Sequence, residues 1–135
     1  MIQFDSSFVI DLRDEIAREA PGAAFEFVES LDPGELLAIS VHVLAEVRVG
    51  AELDKHPLKA HEAIDQLVGG FLPIYPDHRF PAMYARVWAA TNRGKRNVAA
   101  MDLLIATAAI IEDAPLVTKN VKDFSRVPGL RVLGY

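Results

Sequence analysis

The chain has no cysteine among its 135 residues, which excludes a disulfide framework, a thiolate zinc site and a cysteine nucleophile. It also lacks a long hydrophobic run. The longest one, residues 99–111, is interrupted by Asp102 and is shorter than the about 20 residues that cross a bilayer. No basic segment followed by an apolar one stands at the N-terminus. We therefore expect an intracellular, soluble domain with no membrane partner and a cytoplasmic location.

Basic residues are in deficit, with 14 Lys and Arg against 19 Asp and Glu and a net charge of −5. Taken alone, this total argues against a nucleic-acid partner, because phosphate contacts need Lys and Arg. The charges are unevenly placed, however. Residues 1–77 carry 15 acids and 5 bases, whereas residues 78–135 carry 4 acids and 9 bases. The asymmetry indicates either a basic functional surface or two differently solvated faces.

The composition, 51% hydrophobic and 24% charged, is that of one globular domain over residues 1–135. Short apolar segments alternate with longer helical patterns, which favours crossover connections and a parallel sheet. We predict an α/β fold, a three-layer α/β/α sandwich with a mostly parallel central sheet. Ligands of such folds bind beyond the carboxyl ends of the strands. The predicted strands cover residues 1–4, 36–39, 71–75, 115–118 and 130–133.

Helices are predicted between these strands. Two of them are expected to begin at capping residues, with Ser40 starting a helix to about Leu53 and Asp77 starting one to about Thr91. A very apolar helix is predicted from Asn97 to about Asp113. The remaining helical patterns cover residues 5–31, broken near residues 21–22, and residues 57–68.

Two acidic residues stand where a carboxylate is costly. Asp5 directly follows the first strand, where it either lies at a ligand crevice or merely caps the next helix. Asp102 is the one charge in residues 99–106, and its helical neighbours are apolar. Such a carboxylate loses hydration unless a cation or donors compensate it. A buried ion pair would do so, but no Lys or Arg follows Arg96 on that helix, so a metal ion is favoured.

Two further acids complete the pattern. Glu46 borders the apolar stripe of its helix, and Asp123 follows the fourth strand; singly, each is typical of a solvated surface. Together with Asp5 and Asp102 they form a set that would repel itself without a cation. Oxygen ligands without thiolates favour Mg²⁺ or Mn²⁺, which can activate water for phosphodiester hydrolysis.

The order and spacing of these segments resemble PIN-domain ribonucleases of the VapC toxin type. The resemblance spans almost the whole chain. It depends on Phe4-Asp5-Ser6-Ser7, on residues 45–50 around Glu46, on residues 101–106 around Asp102 and on residues 116–124 through Asp123. The chain departs from the family where Ser6-Ser7 replaces the usual Thr-Asn after the first acid, and where Val98-Ala99 replaces Ile-Gly.

The resemblance implies a metal-dependent endoribonuclease, the toxin of a toxin–antitoxin pair, with Mg²⁺ or Mn²⁺ as cofactor. It implies that Asp5, Glu46 and Asp102 are the core acids and Asp123 the fourth, with Asp5, Asp102 and Asp123 on the metal. Ser7 or Asn120 would supply a supporting hydrogen bond. The implied partners are an RNA substrate, a cognate antitoxin and a second copy of the chain in a homodimer.

The basic surplus of residues 78–135 supplies candidates for holding the RNA backbone. These candidates are Arg93, Lys95, Arg96, Lys119 and Lys122. A rival interpretation is a PIN-fold module that binds RNA or protein without turnover. The same chemistry would also cleave DNA, and the sequence does not separate the two nucleic acids.

Overall fold

A computed structural model describes residues 1–94 and 97–135 of the chain. Its strands are β1 (Ile2–Phe4), β2 (Leu37–Ser40), β3 (Leu72–Ile74), β4 (Leu116–Val117) and β5 (Val132–Leu133). Its helices are α1 (Ser6–Ala17), α2 (Ala23–Glu29), α3 (Val41–Glu52), α4 (Pro57–Val68), α5 (Phe80–Thr91), α6 (Ala100–Ile111) and α7 (Val121–Phe124). No helix in the described part of the chain is both long and apolar enough to span a membrane.

The five strands form one sheet in the order β3-β2-β1-β4-β5, and every neighbouring pair is parallel. This confirms the predicted α/β fold with a parallel central sheet. From β1 the chain proceeds outward to β2 and β3, and then returns to the other side of β1 to form β4 and β5. The strand order therefore reverses between β1 and β4, and their carboxyl ends flank the crevice where such sheets bind ligands.

Alternation along β1 directs its side chains to both faces of the sheet. Phe4 is fully buried, and its ring contacts Phe8 of α1 at a centroid distance of 4.3 Å and Phe71 at 5.5 Å. Gln3 points to the opposite face, where its Nε2 donates a hydrogen bond to the carbonyl of Ala108 in α6 (3.2 Å). Helices therefore cover both faces, which gives the three layers.

Two helices begin at capping residues that directly follow a strand. Asp5 accepts a hydrogen bond from the backbone N–H of Phe8 (3.0 Å) at the start of α1. Ser40 accepts one from the N–H of Val43 (3.3 Å) at the start of α3, as predicted. These side chains satisfy N–H groups that have no partner within the helix. The caps fix the direction in which α1 and α3 leave the crevice edge.

The predicted start of the apolar helix at Asn97 is wrong, because α6 begins at Ala100. The N–H of Val98 donates to Oδ1 of Asn92 (2.8 Å), and Nδ2 of Asn92 donates to the carbonyl of Val98 (3.2 Å). Ala99 is extended, with φ −59° and ψ 146°. The side-chain amide of Asn92, at the end of α5, thus holds Val98 outside α6.

The predicted cap of α5 is also wrong. The helix begins at Phe80, and Asp77 instead closes a turn before it. Oδ1 of Asp77 accepts a hydrogen bond from the backbone N–H of Arg79 (2.8 Å), and the Arg79 guanidinium pairs with the same carboxylate (2.7 Å). The local turn satisfies Asp77 completely, and α5 begins without a side-chain cap.

Candidate active site

Asp5 lies at the carboxyl end of β1 and is buried, with 5% of its surface exposed. Its Oδ1 accepts hydrogen bonds from Ser7 Oγ (2.7 Å) and from the Phe8 N–H, and its Oδ2 accepts one from Thr118 Oγ1 (2.5 Å). Burial raises the pKa of Asp5, and these donors oppose that rise. Asp5 therefore both caps α1 and faces the crevice. Ser7, one of the two residues predicted to supply a supporting hydrogen bond, therefore contacts Asp5.

Thr118 is a site residue that the sequence analysis missed. It is fully buried directly after β4. Its hydroxyl donates to Asp5 and accepts a hydrogen bond from the backbone N–H of Asn120 (2.9 Å). One side chain thereby bridges the ends of β1 and β4 across the crevice. The sequence feature that could have indicated Thr118 is its position, because it lies at the end of an apolar strand, as Asp5 does.

Glu46 lies on α3 with its side chain open to solvent. Its carboxylate accepts a hydrogen bond from the hydroxyl of Ser6, which is buried in the first turn of α1. The paired hydroxyls of Ser6 and Ser7 thus serve two different acids, Glu46 and Asp5. No contact was predicted for Ser6 from the sequence.

Asp102 lies in the first turn of α6 and is partly buried. Its pKa is raised to about 6, first because burial removes hydration and then because the charges of Glu46, Asp5 and Asp123 repel its own. Within residues 1–94 and 97–135, no ion pair joins Asp102 to a Lys, Arg or His. Asp102 therefore lies within range of the three other predicted acids, whose negative charges repel its own.

Asp123 lies on α7, a short helix that follows β4. Asn120 precedes this helix without capping it, and its Nδ2 donates a hydrogen bond to Asp123 Oδ2 (3.1 Å). The two residues predicted near the fourth position are therefore in direct contact with each other. This contact orients the Asp123 carboxylate at the end of β4.

The donor chemistry of this site fits a hard divalent cation. Its ligands are oxygen atoms, and its like charges need a counter-ion. In the described ranges no three His, Asp or Glu side chains are arranged to hold one ion jointly. Mg²⁺ keeps several waters and needs only one or two carboxylates, so three direct ligands are not required.

Three of the five predicted RNA-binding cations lie in the described part of the chain. Arg93 and Lys122 are exposed. Lys119 is exposed too, but its Nζ pairs with Oδ2 of Asp11 (2.5 Å), so it is not a free charge. Lys95 and Arg96 lie outside the described residues.

Comparison with known proteins decides the family. The PIN domain model matches residues 2–130. The chain belongs to the PIN-domain family. This PIN domain is 34% identical over 128 residues to Ribonuclease VapC19 of Mycobacterium tuberculosis, covering 94% of each chain. It is 30% identical over 110 residues to Ribonuclease VapC2 of Rickettsia felis, covering 82% of each.

A solved structure agrees with this assignment. A chain in the crystal structure of VapBC2 from Rickettsia felis, bound to a DNA fragment from their promoter, superposes on this PIN domain with a TM-score of 0.90 at 26% identity. The match covers 100% of this chain and 99% of that one. The resemblance to VapC-type PIN domains that the sequence predicts is thereby confirmed.

Proposed function

We propose that this PIN domain is an endoribonuclease, the toxin of a toxin–antitoxin pair, which hydrolyses RNA phosphodiester bonds with Mg²⁺ or Mn²⁺. The observation that carries the proposal is the convergence of Asp5, Glu46, Asp102 and Asp123 beside the β1–β4 crevice, where burial and mutual repulsion raise the pKa of Asp102 to about 6. A protein that only binds an anionic polymer gains nothing from such a cluster. The relatives named as ribonucleases support the same conclusion.

The four carboxylates have different roles in this proposal because their surroundings differ. One or two of Asp5, Asp102 and Asp123 would hold the cation directly and the rest through its waters. Ser7 and Thr118 keep Asp5 oriented through their hydrogen bonds. A divalent ion there would supply Lewis-acid stabilisation of the phosphate and a readily deprotonated water.

Glu46 differs from the other three acids because its side chain is open to solvent and touches the protein through Ser6. We assign it the role of a further ligand or of the group that orients the attacking water and accepts its proton. The hydroxyl of Ser6, which directly follows Asp5 in the chain, holds the Glu46 carboxylate.

The proposal also includes the substrate and the partners of this chain. Arg93 and Lys122 are exposed and available to phosphate groups, and Lys119 contributes where its pairing with Asp11 allows. The similar chain of Rickettsia felis was solved as part of VapBC2, which supports a cognate antitoxin as partner of this chain. A homodimer is part of the same proposal.

Cleavage of RNA oligonucleotides, compared with DNA of the same sequence, tests the proposal in Mg²⁺, in Mn²⁺ and in EDTA. We expect RNA cleavage that EDTA abolishes and that Asp5→Ala and Asp102→Asn reduce by at least a hundredfold. The matched control is Asp113→Asn, the same change at a carboxylate whose side chain is 98% exposed, and it should cleave like the wild type.

Two results would refute the proposal. Cleavage that survives in both Asp5→Ala and Asp102→Asn would show that these acids do not carry the reaction. Tight RNA binding by a wild type that cleaves in neither metal would instead identify a binding module without turnover.

A further inference from the structure

Tyr135 joins a cluster of charged and polar side chains behind the acidic site. Its ring packs edge-on against the buried Phe8 of α1, with a centroid distance of 4.8 Å and an interplanar angle of 78°. Its hydroxyl donates a hydrogen bond to Oδ2 of Asp11 (2.9 Å), one helical turn after Ser7. The same oxygen accepts the ammonium group of Lys119.

Lys119 connects this cluster to the site through its backbone. Its N–H donates a hydrogen bond to Ser7 Oγ (3.3 Å), and the Ser7 hydroxyl donates to Asp5. Residues 118–120 are therefore fixed to α1 at two points, by the Lys119 N–H on Ser7 and by the Lys119 ammonium on Asp11. These residues also carry Thr118, the second side-chain donor to Asp5.

The contacts of Lys119 and Tyr135 favour the ionised form of Asp11. Burial acts to raise the pKa of Asp11, yet the hydrogen bonds and positive charge of Lys119 and the Tyr135 hydroxyl lower it overall. Burial raises the pKa of Tyr135, so its hydroxyl keeps the proton that it donates. A hydrogen bond from a neutral donor to a carboxylate is among the stronger kinds in proteins.

We propose that Tyr135 and Asp11 are positioning residues that clamp residues 118–120 against α1 and so hold Asp5 in its catalytic orientation. Neither residue touches the substrate in this arrangement. Tyr135 acts on Asp11 and also forms a hydrogen bond with Ser7, and Asp11 acts on Lys119. The segment of Lys119 donates to Ser7 through its backbone and to Asp5 through Thr118. The effect on catalysis rests on the proposed ribonuclease function, whereas the clamp itself does not.

Amide hydrogen exchange by NMR on the intact chain tests the clamp without any activity assay. Tyr135→Phe keeps the ring on Phe8 and removes only the hydroxyl. We expect exchange at the Lys119 and Asn120 amides to accelerate about tenfold, the size associated with a hydrogen bond to a charged group. Exchange at the Gln3 amide, which donates to the Pro115 carbonyl in the sheet, should stay unchanged.

A double-mutant cycle and kinetics complete the test. Asp11→Ala should accelerate the same amides, and Tyr135→Phe should add less to it than it causes alone, because both changes break the same Tyr135–Asp11 hydrogen bond. In RNA cleavage, Tyr135→Phe should lower kcat about tenfold and leave KM within twofold. The matched control is Tyr75→Phe, at a tyrosine that is 66% exposed, and it should match the wild type in every measurement.

Wild-type exchange at Lys119 and Asn120 in Tyr135→Phe would overturn the clamp. So would acceleration of all amides together with that of Gln3, which would show a general loss of stability. A normal kcat despite faster local exchange would overturn the link to catalysis. If the wild type cleaves no RNA, the proposed function fails, and the exchange data still decide whether the clamp exists.

Discussion

Asp102→Asn should stabilise the metal-free protein at neutral pH while it removes activity. The folded chain holds the pKa of Asp102 at about 6, against an ordinary value of 3.8. The folded state therefore binds a proton more tightly than the unfolded state does. The stability linked to this group is fully present below pH 3.8 and is lost as pH rises to about 6. Above pH 6 the wild type retains an unfavourable charge that asparagine lacks.

The size of this effect follows from the shift and from exposure. A shift of about two pKa units corresponds to roughly 3 kcal/mol. Asp102 is only partly buried, so solvent screening reduces this figure. Its place in the first turn of α6 also lets it interact favourably with the helix dipole, which asparagine loses, at about 0.3–1 kcal/mol. We expect Asp102→Asn to gain about 1–2 kcal/mol at pH 7.5.

Urea unfolding in EDTA at pH 5.0 and pH 7.5 measures this difference. The advantage of Asp102→Asn should be about 1–2 kcal/mol at pH 7.5 and clearly smaller at pH 5.0. Asp113→Asn, at a fully solvated carboxylate, should show no such pH dependence. Added Mg²⁺ or Mn²⁺ should raise the stability of the wild type more than that of Asp102→Asn, because bound ligand stabilises the folded state. A variant less stable than wild type at pH 7.5 in EDTA would refute the reasoning.

Two further substitutions test the packing around the site. Thr118→Val removes the donor to Asp5 and leaves the Asn120 N–H without its acceptor, so we expect a loss of about 1–3 kcal/mol in urea unfolding and slower RNA cleavage. The control is Thr107→Val, because the Thr107 hydroxyl donates to the Leu103 carbonyl of its own helix. This variant should lose less stability, and an equal loss would contradict a special role for Thr118. Gly129→Ala should lower the thermal midpoint by the equivalent of about 1–2 kcal/mol, since Gly129 has φ +81°, and an unchanged midpoint would argue against strain there.

The strands and their caps could be predicted because the signals are local. An apolar segment that ends in Asp5 or Ser40 contains both the strand and the start of the next helix. The start of α6 could not be predicted in this way. Asn92 captures both backbone groups of Val98 from six residues earlier, and nothing in the apolar pattern of residues 97–99 reveals that contact.

The residues of the site likewise differ in whether local sequence could predict them. Asp5 and Asp102 were predictable as acids in costly places, and Glu46 and Asp123 as members of the set that they complete, although the catalytic roles of all four stay a prediction. Their hydroxyl partners depend on how the elements are arranged in space. Ser6 reaches Glu46 on another helix, and Thr118 reaches Asp5 only because β4 pairs with β1 in the observed register. Topology, rather than residue type, selects these two from the other hydroxyls of the chain.

The acidic excess of the chain contains two kinds of carboxylate, and their surroundings distinguish them. Burial acts to raise the pKa of Glu15, but backbone N–H groups of Gly22, Ala24 and Phe25 donate to its carboxylate and lower the pKa overall. Glu15 thus serves the fold by satisfying the start of α2. Asp102 has the opposite shift because burial and like charges surround it. A net charge of −5 therefore does not argue against an RNA substrate, since acids such as Glu15 are satisfied within the fold and those at the crevice call for a cation.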